Sequence, residues 1–243
     1  MKIITIANHK GGCGKTATTH ALGVILAMAG HSVLMVDADP QSSLTAACNI
    51  NAAGRSLAEV LTGELTAKKT IQRLGDHLDL LPADIALANT ELALMTRMNR
   101  ENQMKRVLAG LDYDYCLIDC PPSLSILTIN ALTAAHGVLI PTQPQVADLR
   151  GLALFMQSLD KIKAELNPAL QLLGIVMTFY DGRLNHHQEA GAAMKAAGLP
   201  VLQTVIGRSV RVAEAMGNGE SIVTFEPGNK QAEAYQELVK ELF

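Results

Sequence analysis

The 243-residue sequence contains no tryptophan, and aromatic residues make up only 3% of it. Proteins that bind single-stranded nucleic acid without sequence preference stack the bases on aromatic side chains. An aromatic stacking platform of that kind is therefore not expected. The net charge of −3 at pH 7 also argues against a generally basic coat protein for nucleic acid, although a local basic patch is compatible with it.

Cysteine is also scarce, with four residues at positions 13, 48, 116 and 120. So few thiols in a chain of this length do not form the disulfide framework of a secreted domain, and they favour reduced thiols in a cytoplasm. Cys116 and Cys120 are four positions apart, but no second pair of Cys or His residues at ligand spacing accompanies them. A metal or iron–sulfur site at these cysteines is therefore not expected.

Long hydrophobic runs are missing, since no apolar stretch reaches the roughly 18–20 residues of a membrane-spanning helix. The first residues, MKIITIAN, lead directly into a glycine-rich segment without the cleavage site of a signal peptide. Residues 230–243 carry two lysines and three glutamates, a net charge of −1 that anionic lipid does not attract. We expect a cytoplasmic protein without a membrane partner.

Apolar runs alternate with helical patterns along the whole chain. The predicted strands are 2–7, 32–37, 78–81, 115–119, 137–141, 172–178 and 200–205. The predicted helices are 15–29, 56–62, 84–109 with a break, 124–135, 148–165, 186–197, 209–216 and 230–242. Most strands are apolar throughout, which is typical of strands buried on both faces.

This alternation predicts an α/β fold, a doubly wound and mostly parallel sheet with helices on both faces. Ligands of such folds bind beyond the carboxyl ends of the strands. The sequence shows no repeat, low-complexity segment or linker, and its glycine-rich loop begins at residue 9. We therefore expect a single domain over 1–243, without a separate DNA-reading domain ahead of the loop.

The glycine-rich loop HKGGCGKTATT follows the first predicted strand and leads into the first predicted helix. Gly14, Lys15 and Thr16 match the end of the phosphate-loop pattern G-x-x-x-x-G-K-[ST], whereas His9 replaces its first glycine. Backbone N–H groups of such a loop and the N-terminus of the following helix surround phosphate oxygens. The residues predicted to surround the nucleotide phosphates are Gly11, Gly12, Cys13, Gly14, Lys15, Thr16 and Ala17.

Two of these residues have predicted individual roles. Lys15 is expected to reach the β- and γ-phosphates of ATP, and the Thr16 hydroxyl is expected to coordinate Mg²⁺. The loop carries a second lysine, Lys10, five positions before Lys15. We interpret Lys10 as reaching a nucleotide held by a second copy of the chain, where its charge would act as an arginine finger does. The alternative is an ordinary surface lysine beside the loop.

Three aspartates end predicted strands near this loop. Asp37 and Asp39 follow the second strand, and Asp119 ends a later one. Strand-end aspartates are sometimes only caps of the next turn or helix. Beside a phosphate loop, however, they are expected to serve a metal ion and the attacking water.

Several segments together resemble one family of ATPases. KGGCGKT resembles the deviant phosphate loop K-G-G-x-G-K-[ST] of the ParA/MinD group, and VDADPQSSLT and CLIDCPPSL resemble its aspartate-containing loops. MTFYDGR, VIGRSVRVAEA and AEAYQELVKEL are most similar to the ParA/Soj partition branch. The resemblance covers essentially the whole chain and implies the P-loop NTPase fold with ATP and Mg²⁺ as ligands.

The resemblance also implies residue roles. Asp39 would position or deprotonate the attacking water, with Lys10 and Lys15 as the other catalytic residues. Asp37 would lie near the metal shell, and Asp119 would hold a water molecule bound to Mg²⁺.

The nucleotide base is the part of the site where the sequence departs from the family. Ala17 stands where the family often has threonine, and Gly207 replaces a proline next to Arg208. Thr178, at a strand end, is the residue we expect to contact adenine, and Arg208 is expected to lie beside the nucleotide.

Relatives in the partition branch bind DNA without sequence preference as ATP-bound dimers. Such binding needs several Lys or Arg side chains on one surface. Arg183, Arg208 and Arg211 lie in the segments that resemble the DNA-contacting region, and Lys195 lies on the predicted helix between them. Each could instead be an ordinary solvated residue.

The resemblance implies an ATPase that forms an ATP-dependent sandwich homodimer, binds duplex DNA non-specifically and drives plasmid or chromosome partition. A ParB-like protein or cargo adaptor would stimulate hydrolysis, and the protein would associate with the nucleoid. One alternative is an ATPase of the same build that positions a protein cargo, such as a carboxysome or a chemotaxis cluster. Others are a metabolic P-loop enzyme, against which Lys10 argues, and a nitrogenase-type iron–sulfur reductase, which the cysteine positions disfavour.

Overall fold

The computed structural model describes the backbone of residues 1–243 and every side chain except those of residues 146–149. Eight strands form its central sheet: β1 (Lys2–Ile6), β2 (Val33–Asp37), β3 (Gln72–Arg73), β4 (Leu78–Leu81), β5 (Tyr115–Asp119), β6 (Gly137–Thr142), β7 (Gln171–Tyr180) and β8 (Val201–Gly207). Their order across the sheet is β3-β4-β2-β5-β1-β6-β7-β8. Neighbouring strands are parallel except for β3, which is antiparallel to β4.

The helices connect these strands and cover the sheet. They are α1 (Lys15–Met28), α2 (Ser43–Ala47), α3 (Leu57–Thr62), α4 (Ala67–Thr70), α5 (Ala86–Met95), α6 (Gln103–Leu108), α7 (Ile126–Ala134), α8 (Val146–Glu165), α9 (Asn185–Ala196), α10 (Val210–Gly217), α11 (Ile222–Phe225) and α12 (Lys230–Leu242). Side-chain oxygens cap several helix starts, and Ser56 with Glu59 forms a capping box at α3. Such caps satisfy backbone N–H groups that the first helical turn leaves unpaired.

The apolar strands are explained by two cores, one on each face of the sheet. Successive strand residues point to opposite faces, so Leu34 packs with α3, α5, α6, α7 and α8 on one side, while Met35 packs with α1, α11 and α12 on the other. Every residue of β2 is buried. The predicted doubly wound, mostly parallel sheet is confirmed, and its strand pattern follows from burial on both faces.

The short elements of the chain were not predicted. Strand β3 has two residues, and α2, α4 and α11 have five, four and four. Elements of this length do not produce a hydrophobic period. The expected break within 84–109 is present, where Asn99 adopts a left-handed backbone with φ of 53° between α5 and a 3₁₀ turn at Arg100–Asn102.

Within the part of the chain that the structure describes, no helix is both long and apolar enough to cross a bilayer.

Helix α1 lies close to β2 because Gly23 has no side chain. A Cβ atom at position 23 would lie 2.6 Å from Met35 Sδ, and Met35 is fully buried. We predict that Gly23→Ala lowers the free energy of unfolding by about 1–2 kcal/mol, because overpacking outweighs the gain in helix propensity. Denaturant unfolding measures the change. The control is Gly217→Ala in α10, where nothing lies within 4 Å of the new methyl group; an equal loss there would contradict the steric explanation.

Candidate active site

The site lies at the carboxyl edge of the sheet, where β1, β2 and β5 are neighbours. Asp119 pairs in register with Ile6 on one side and with Asp37 on the other. The loop between β1 and α1 begins directly after Ile6, so the parallel register places both aspartates beside the loop. The order of strands, rather than any local sequence feature, brings these three segments together.

The loop forms a turn that its glycines permit. Gly12 and Gly14 have positive φ angles of 70° and 84°, which residues with a side chain rarely adopt. The Lys15 ammonium donates a hydrogen bond to the backbone carbonyl of Lys10 at 3.1 Å, and the Cys13 thiol donates to the same oxygen at 3.3 Å. The lysine of the phosphate-loop pattern is therefore buried against its own loop in this structure.

Side chains from neighbouring strands fix the outer wall of the loop. Asn8 accepts from the backbone N–H of Lys10 at 3.2 Å and donates to the carbonyl of Pro141 at 2.8 Å. The Gln143 amide donates to the carbonyl of Gly12 at 2.8 Å. These bonds hold the loop in a turned shape before any phosphate is present, and the sequence alone did not reveal Asn8 or Gln143 as contributors.

Lys10 and Lys15 occupy different surroundings. The Lys10 ammonium donates to Gln145 Oε1 at 3.3 Å, at the segment that precedes α8. Lys15 lines the cavity of about 450 Å³ that the loop encloses, whereas Lys10 is not among its lining residues. The role of Lys10 at the nucleotide of a second chain stays a prediction.

Several predicted residues line this cavity together. Its volume lies within the range of small-molecule sites. The lining includes Gly11, Gly12, Cys13, Gly14, Lys15, Thr16, Ala17 and Asp39. Residues of its opposite wall that the sequence did not indicate are Gln41, Ser43, Pro122, Phe179, Ser209, Val212, Ala213 and Met216.

Asp37 is fully buried, and its carboxylate accepts three hydrogen bonds from neighbouring residues. Thr45 donates to Oδ2 through its backbone N–H at 2.8 Å and through its hydroxyl at 2.7 Å, while Asp39 N–H donates to Oδ1 at 3.1 Å. Burial raises the pKa of Asp37 to about 6, and the bonds from Thr45 oppose that rise. These contacts fix the Asp37 carboxylate and the backbone of Asp39, and the place of Asp37 near the metal stays a prediction.

Asp119 is different because one of its oxygens has no partner. It is buried, Oδ2 accepts no hydrogen bond from the described residues, and Oδ1 accepts a long bond of 3.5 Å from the Thr19 hydroxyl. Burial, followed by the neighbouring Asp37, raises the pKa of Asp119, while Thr16 and Lys15 act in the opposite direction. An unpaired buried carboxylate oxygen is costly unless a cation or its bound water satisfies it.

Magnesium fits this arrangement. Among the residues that the structure describes, no cluster of three or more His, Cys, Asp or Glu side chains is placed to hold a metal ion. Mg²⁺ typically needs only one or two protein oxygens and takes its remaining ligands from phosphates and water. The Thr16 hydroxyl and Asp119, the latter through a water, are the groups that would serve it here.

Thr178 and Arg208, the residues expected near the base, lie in different places. The buried Thr178 hydroxyl lies 2.9 Å from the carbonyl of Cys13 and 3.1 Å from that of Thr142, so it supports the loop. Thr178 also lines a small cavity of about 30 Å³ with Gly14. Arg208 lines a neighbouring cavity of about 460 Å³. Their contacts with a nucleotide stay predictions.

Phe179 is the residue that sequence reasoning missed most clearly. Its φ of 52° is unusual for a bulky side chain, and the register of β7 with β8 shifts between Thr178 and Tyr180. Bulges of this kind often redirect a side chain next to an active site. Phe179 lines all three cavities around the loop. No sequence signal marks a left-handed phenylalanine.

The expected DNA-contact residues lie on the surface near β7, α9 and α10. Lys195 is exposed on α9. Arg183 forms an ion pair with Asp181, and Arg211 forms ion pairs with Glu214 and Glu226. The structure therefore places basic residues there, with carboxylates of the same chain beside two of them.

Comparison with known proteins agrees with this geometry. A family profile described as "AAA domain" matches residues 1–172. The sporulation initiation inhibitor protein Soj of Bacillus subtilis is 39% identical over 247 residues, which cover 99% of this chain and 98% of that protein. The chromosome partitioning protein ParA of Caulobacter vibrioides is 36% identical over 250 residues, covering 100% of this chain and 94% of that protein. The chain belongs to the Soj/ParA family of P-loop ATPases.

A solved structure extends this similarity to three dimensions. A protein of Mycobacterium smegmatis described as cobyrinic acid a,c-diamide synthase has a TM-score of 0.87 and 36% sequence identity, covering 99% of this chain and 93% of its own. It was solved with ADP and magnesium and with an ATP analogue and magnesium. The Soj/ParA membership and the P-loop NTPase fold predicted from the sequence are thus confirmed.

We predict that Asp119→Asn stabilises the folded protein, and that this gain in stability grows as pH rises. The folded-state pKa of Asp119 is raised, so the folded protein binds this proton more tightly than the unfolded chain, and stability falls as pH rises from about 4. Asp119→Asn removes that loss. We expect its stability advantage over the unaltered protein, without nucleotide, to grow as pH rises from about 4 to 7.

Chemical denaturation at several pH values tests this expectation. Titrating groups away from Asp119, such as His20 with a pKa lowered to about 4 by burial, cancel in the difference between the two proteins. A stability difference that is constant with pH would contradict the assigned environment of Asp119.

Proposed function

We propose that the protein is an ATP hydrolase whose nucleotide state controls pairing of two chains and binding to duplex DNA. The single observation that carries the proposal is the separation of the two loop lysines. Lys15 lines the loop's own cavity, whereas the Lys10 ammonium lies at Gln145, outside that lining. ATP and Mg²⁺ are the proposed ligands, supported by the unpaired oxygen of Asp119 and by the relatives solved with them.

In the proposed reaction Lys15 leaves the carbonyl of Lys10 and contacts the β- and γ-phosphates. Mg²⁺ neutralises charge on the phosphate oxygens when it is bound. Asp39 lines the same cavity, and its backbone N–H is fixed by Asp37. Its carboxylate is the group we assign to the attacking water, which it orients or deprotonates.

Lys10 is assigned to the partner's site. A sandwich of two chains, with the nucleotides between them, would bring each Lys10 to the triphosphate of the other chain. Its charge would stabilise the transferring phosphoryl group in trans. ATP binding and dimer formation would then be one event, and hydrolysis would reverse it.

DNA partition is the proposed use of this switch. The dimer would bind nucleoid DNA without sequence preference, through the surface that contains Arg183, Lys195 and Arg211. A ParB-like partner or cargo adaptor would stimulate hydrolysis, and the ADP form would release DNA. The relatives named for chromosome partitioning support this proposal, and so does their alignment over nearly the full chain. We treat the chain as a single domain.

A second candidate is a metabolic amide-forming enzyme, because the Mycobacterium smegmatis protein carries the name of a diamide synthase. Such an enzyme would use ATP to activate a carboxylic acid and would turn over only in its presence. Activation of a carboxylic acid by ATP would not require a lysine at position 10, outside the cavity of its own loop. Turnover of ATP that requires cobyrinic acid and an amide donor, and not DNA, would favour this candidate.

Light scattering coupled to gel filtration tests the proposed function directly. The protein is run with ATP and Mg²⁺, with ADP and Mg²⁺, and without nucleotide, each with and without a short duplex. We expect a dimer that carries DNA only in ATP. A monomer in ATP, or equal DNA binding in all three conditions, would contradict the proposal.

Asp39→Ala should separate ATP binding from hydrolysis. The side chain lines the cavity, and among the described residues its carboxylate accepts a hydrogen bond from Gln41 N–H at 2.9 Å. We expect ATP affinity within a few-fold of normal and turnover reduced by about 10²–10⁴-fold, the usual contribution of a general base. Phosphate release measures the rate, and retention of normal turnover would reject the assigned role.

Lys10→Ala should separate ATP binding from dimer formation. Its backbone carbonyl, which holds Lys15, is unchanged by the substitution. We expect ATP to bind with near-normal affinity while the ATP-dependent dimer and its turnover are lost. Lys15→Ala is the matched control and should lose ATP binding itself. Normal pairing and turnover by the Lys10 variant would contradict the trans assignment.

A further inference from the structure

Arg183 is held by an acidic neighbour on its own turn. Its Nε and Nη2 atoms donate to Asp181 Oδ1 and Oδ2 at 3.0 and 2.8 Å, and its backbone N–H also donates to Oδ1 at 3.0 Å. The pairing lowers the pKa of Asp181. The carboxylate is therefore ionised at neutral pH, and it cancels the charge of an arginine side chain that is 89% exposed.

Arg211 is held by two carboxylates. Its Nε donates to Glu226 Oε2 at 2.7 Å and its Nη1 to Glu214 Oε2 at 2.5 Å. The guanidinium also lies 4.9 Å from the ring centroid of Phe225. Glu226 accepts a further bond from Asn229 at 3.2 Å, which fixes this carboxylate beside the arginine.

The charges of the segment that carries these arginines nearly balance. The segment 181–226 contains four basic and five acidic residues, a net charge of −1. We call Arg183, Lys195, Arg208 and Arg211 the DNA face. A duplex approaching this face meets two arginines that are already paired, rather than a row of uncompensated positive charges.

We infer that Asp181 and Glu226 are internal counter-ions of the DNA face, which phosphates of duplex DNA must displace from Arg183 and Arg211. The inference rests on the proposed function, because it takes duplex DNA as the polyanion. It assigns to these two carboxylates the control of DNA affinity. Neither carboxylate has been assigned a role in nucleotide binding.

The direction of the effect follows from the charges. Exposed ion pairs are weak, so a DNA backbone can displace them, but the displaced carboxylates stay beside the phosphates and repel them. Each chain alone then binds DNA poorly, and two chains in one dimer gain from acting together. Neutralising Asp181 should free Arg183, and neutralising Glu226 should leave Arg211 with Glu214 alone; each change also removes one repulsive charge.

Fluorescence anisotropy with a labelled duplex, in ATP and Mg²⁺ at several salt concentrations, tests the inference. The variants are Asp181→Asn, Glu226→Gln and the two combined. Asparagine retains an oxygen that can accept from Arg183 N–H, so the turn is preserved. For Asp181→Asn, which frees Arg183, we expect several-fold tighter binding and a plot of log K against log salt that is steeper by about one unit. For Glu226→Gln we expect a smaller change in the same direction, because Glu214 still pairs with Arg211.

The matched control is Asp76→Asn, which removes the same charge from another exposed ion pair, with Arg73 at 3.1 Å near β3. It should leave the salt slope unchanged. Thermal unfolding checks that each variant folds, and the two carboxylates give independent readings if one variant fails to fold.

Two outcomes would overturn the inference. One rejects only this inference, and the other also rejects the proposed DNA function. If the unaltered protein binds DNA in ATP but the variants bind equally or more weakly, the carboxylates position the arginines instead, and only this inference fails. If the unaltered protein shows no ATP-dependent duplex binding even at low salt, the proposed DNA function fails with it.

Discussion

Two buried aspartates lie side by side at the carboxyl edge of the sheet, and the rest of the site depends on how their charge is compensated. Asp37 and Asp119 are paired in register between β2 and β5. Asp37 is satisfied by Thr45 and Asp39 N–H, whereas one oxygen of Asp119 has no partner among the described residues. In the function that we propose, Mg²⁺ would compensate the charge of Asp119, and a bound triphosphate would add negative charge beside Lys15. Lys10 of a second chain is the group that we propose to oppose this added charge.

The sequence predicted those parts of the molecule that depend on repeated or local patterns. Continuous apolar runs predicted the buried parallel strands, because burial on both faces leaves no polar alternation. Spacing around Gly14 and Lys15 predicted the phosphate loop, since its backbone geometry requires glycines near a helix start. The side-chain partners of Lys10 and Asp37 were not predictable, because Gln145 and Thr45 reach them only through the fold.

Other features were hidden for different physical reasons. The left-handed backbone of Phe179 arises from a bulge between β7 and β8, which no residue type at that position signals. The basic residues of the DNA face were recognised, but Arg211 meets Glu226 across 15 positions of chain. Charge on a surface depends on such pairings, so counting arginines in the sequence overestimates the positive charge that DNA would meet.

Mixing two inactive variants is the most direct test of the claim that Lys10 acts in the partner's site. A chain with Lys10→Ala retains its own Asp39, and a chain with Asp39→Ala retains its own Lys10. In a mixed dimer with lysine acting in trans, one of the two sites is complete. The account predicts that mixing raises ATP turnover above that of either variant alone. Random pairing in a two-fold dimer would give about a quarter of the unaltered rate, and weaker pairing by the Lys10→Ala chain would give less. No recovery in mixtures shown to contain mixed dimers would contradict it.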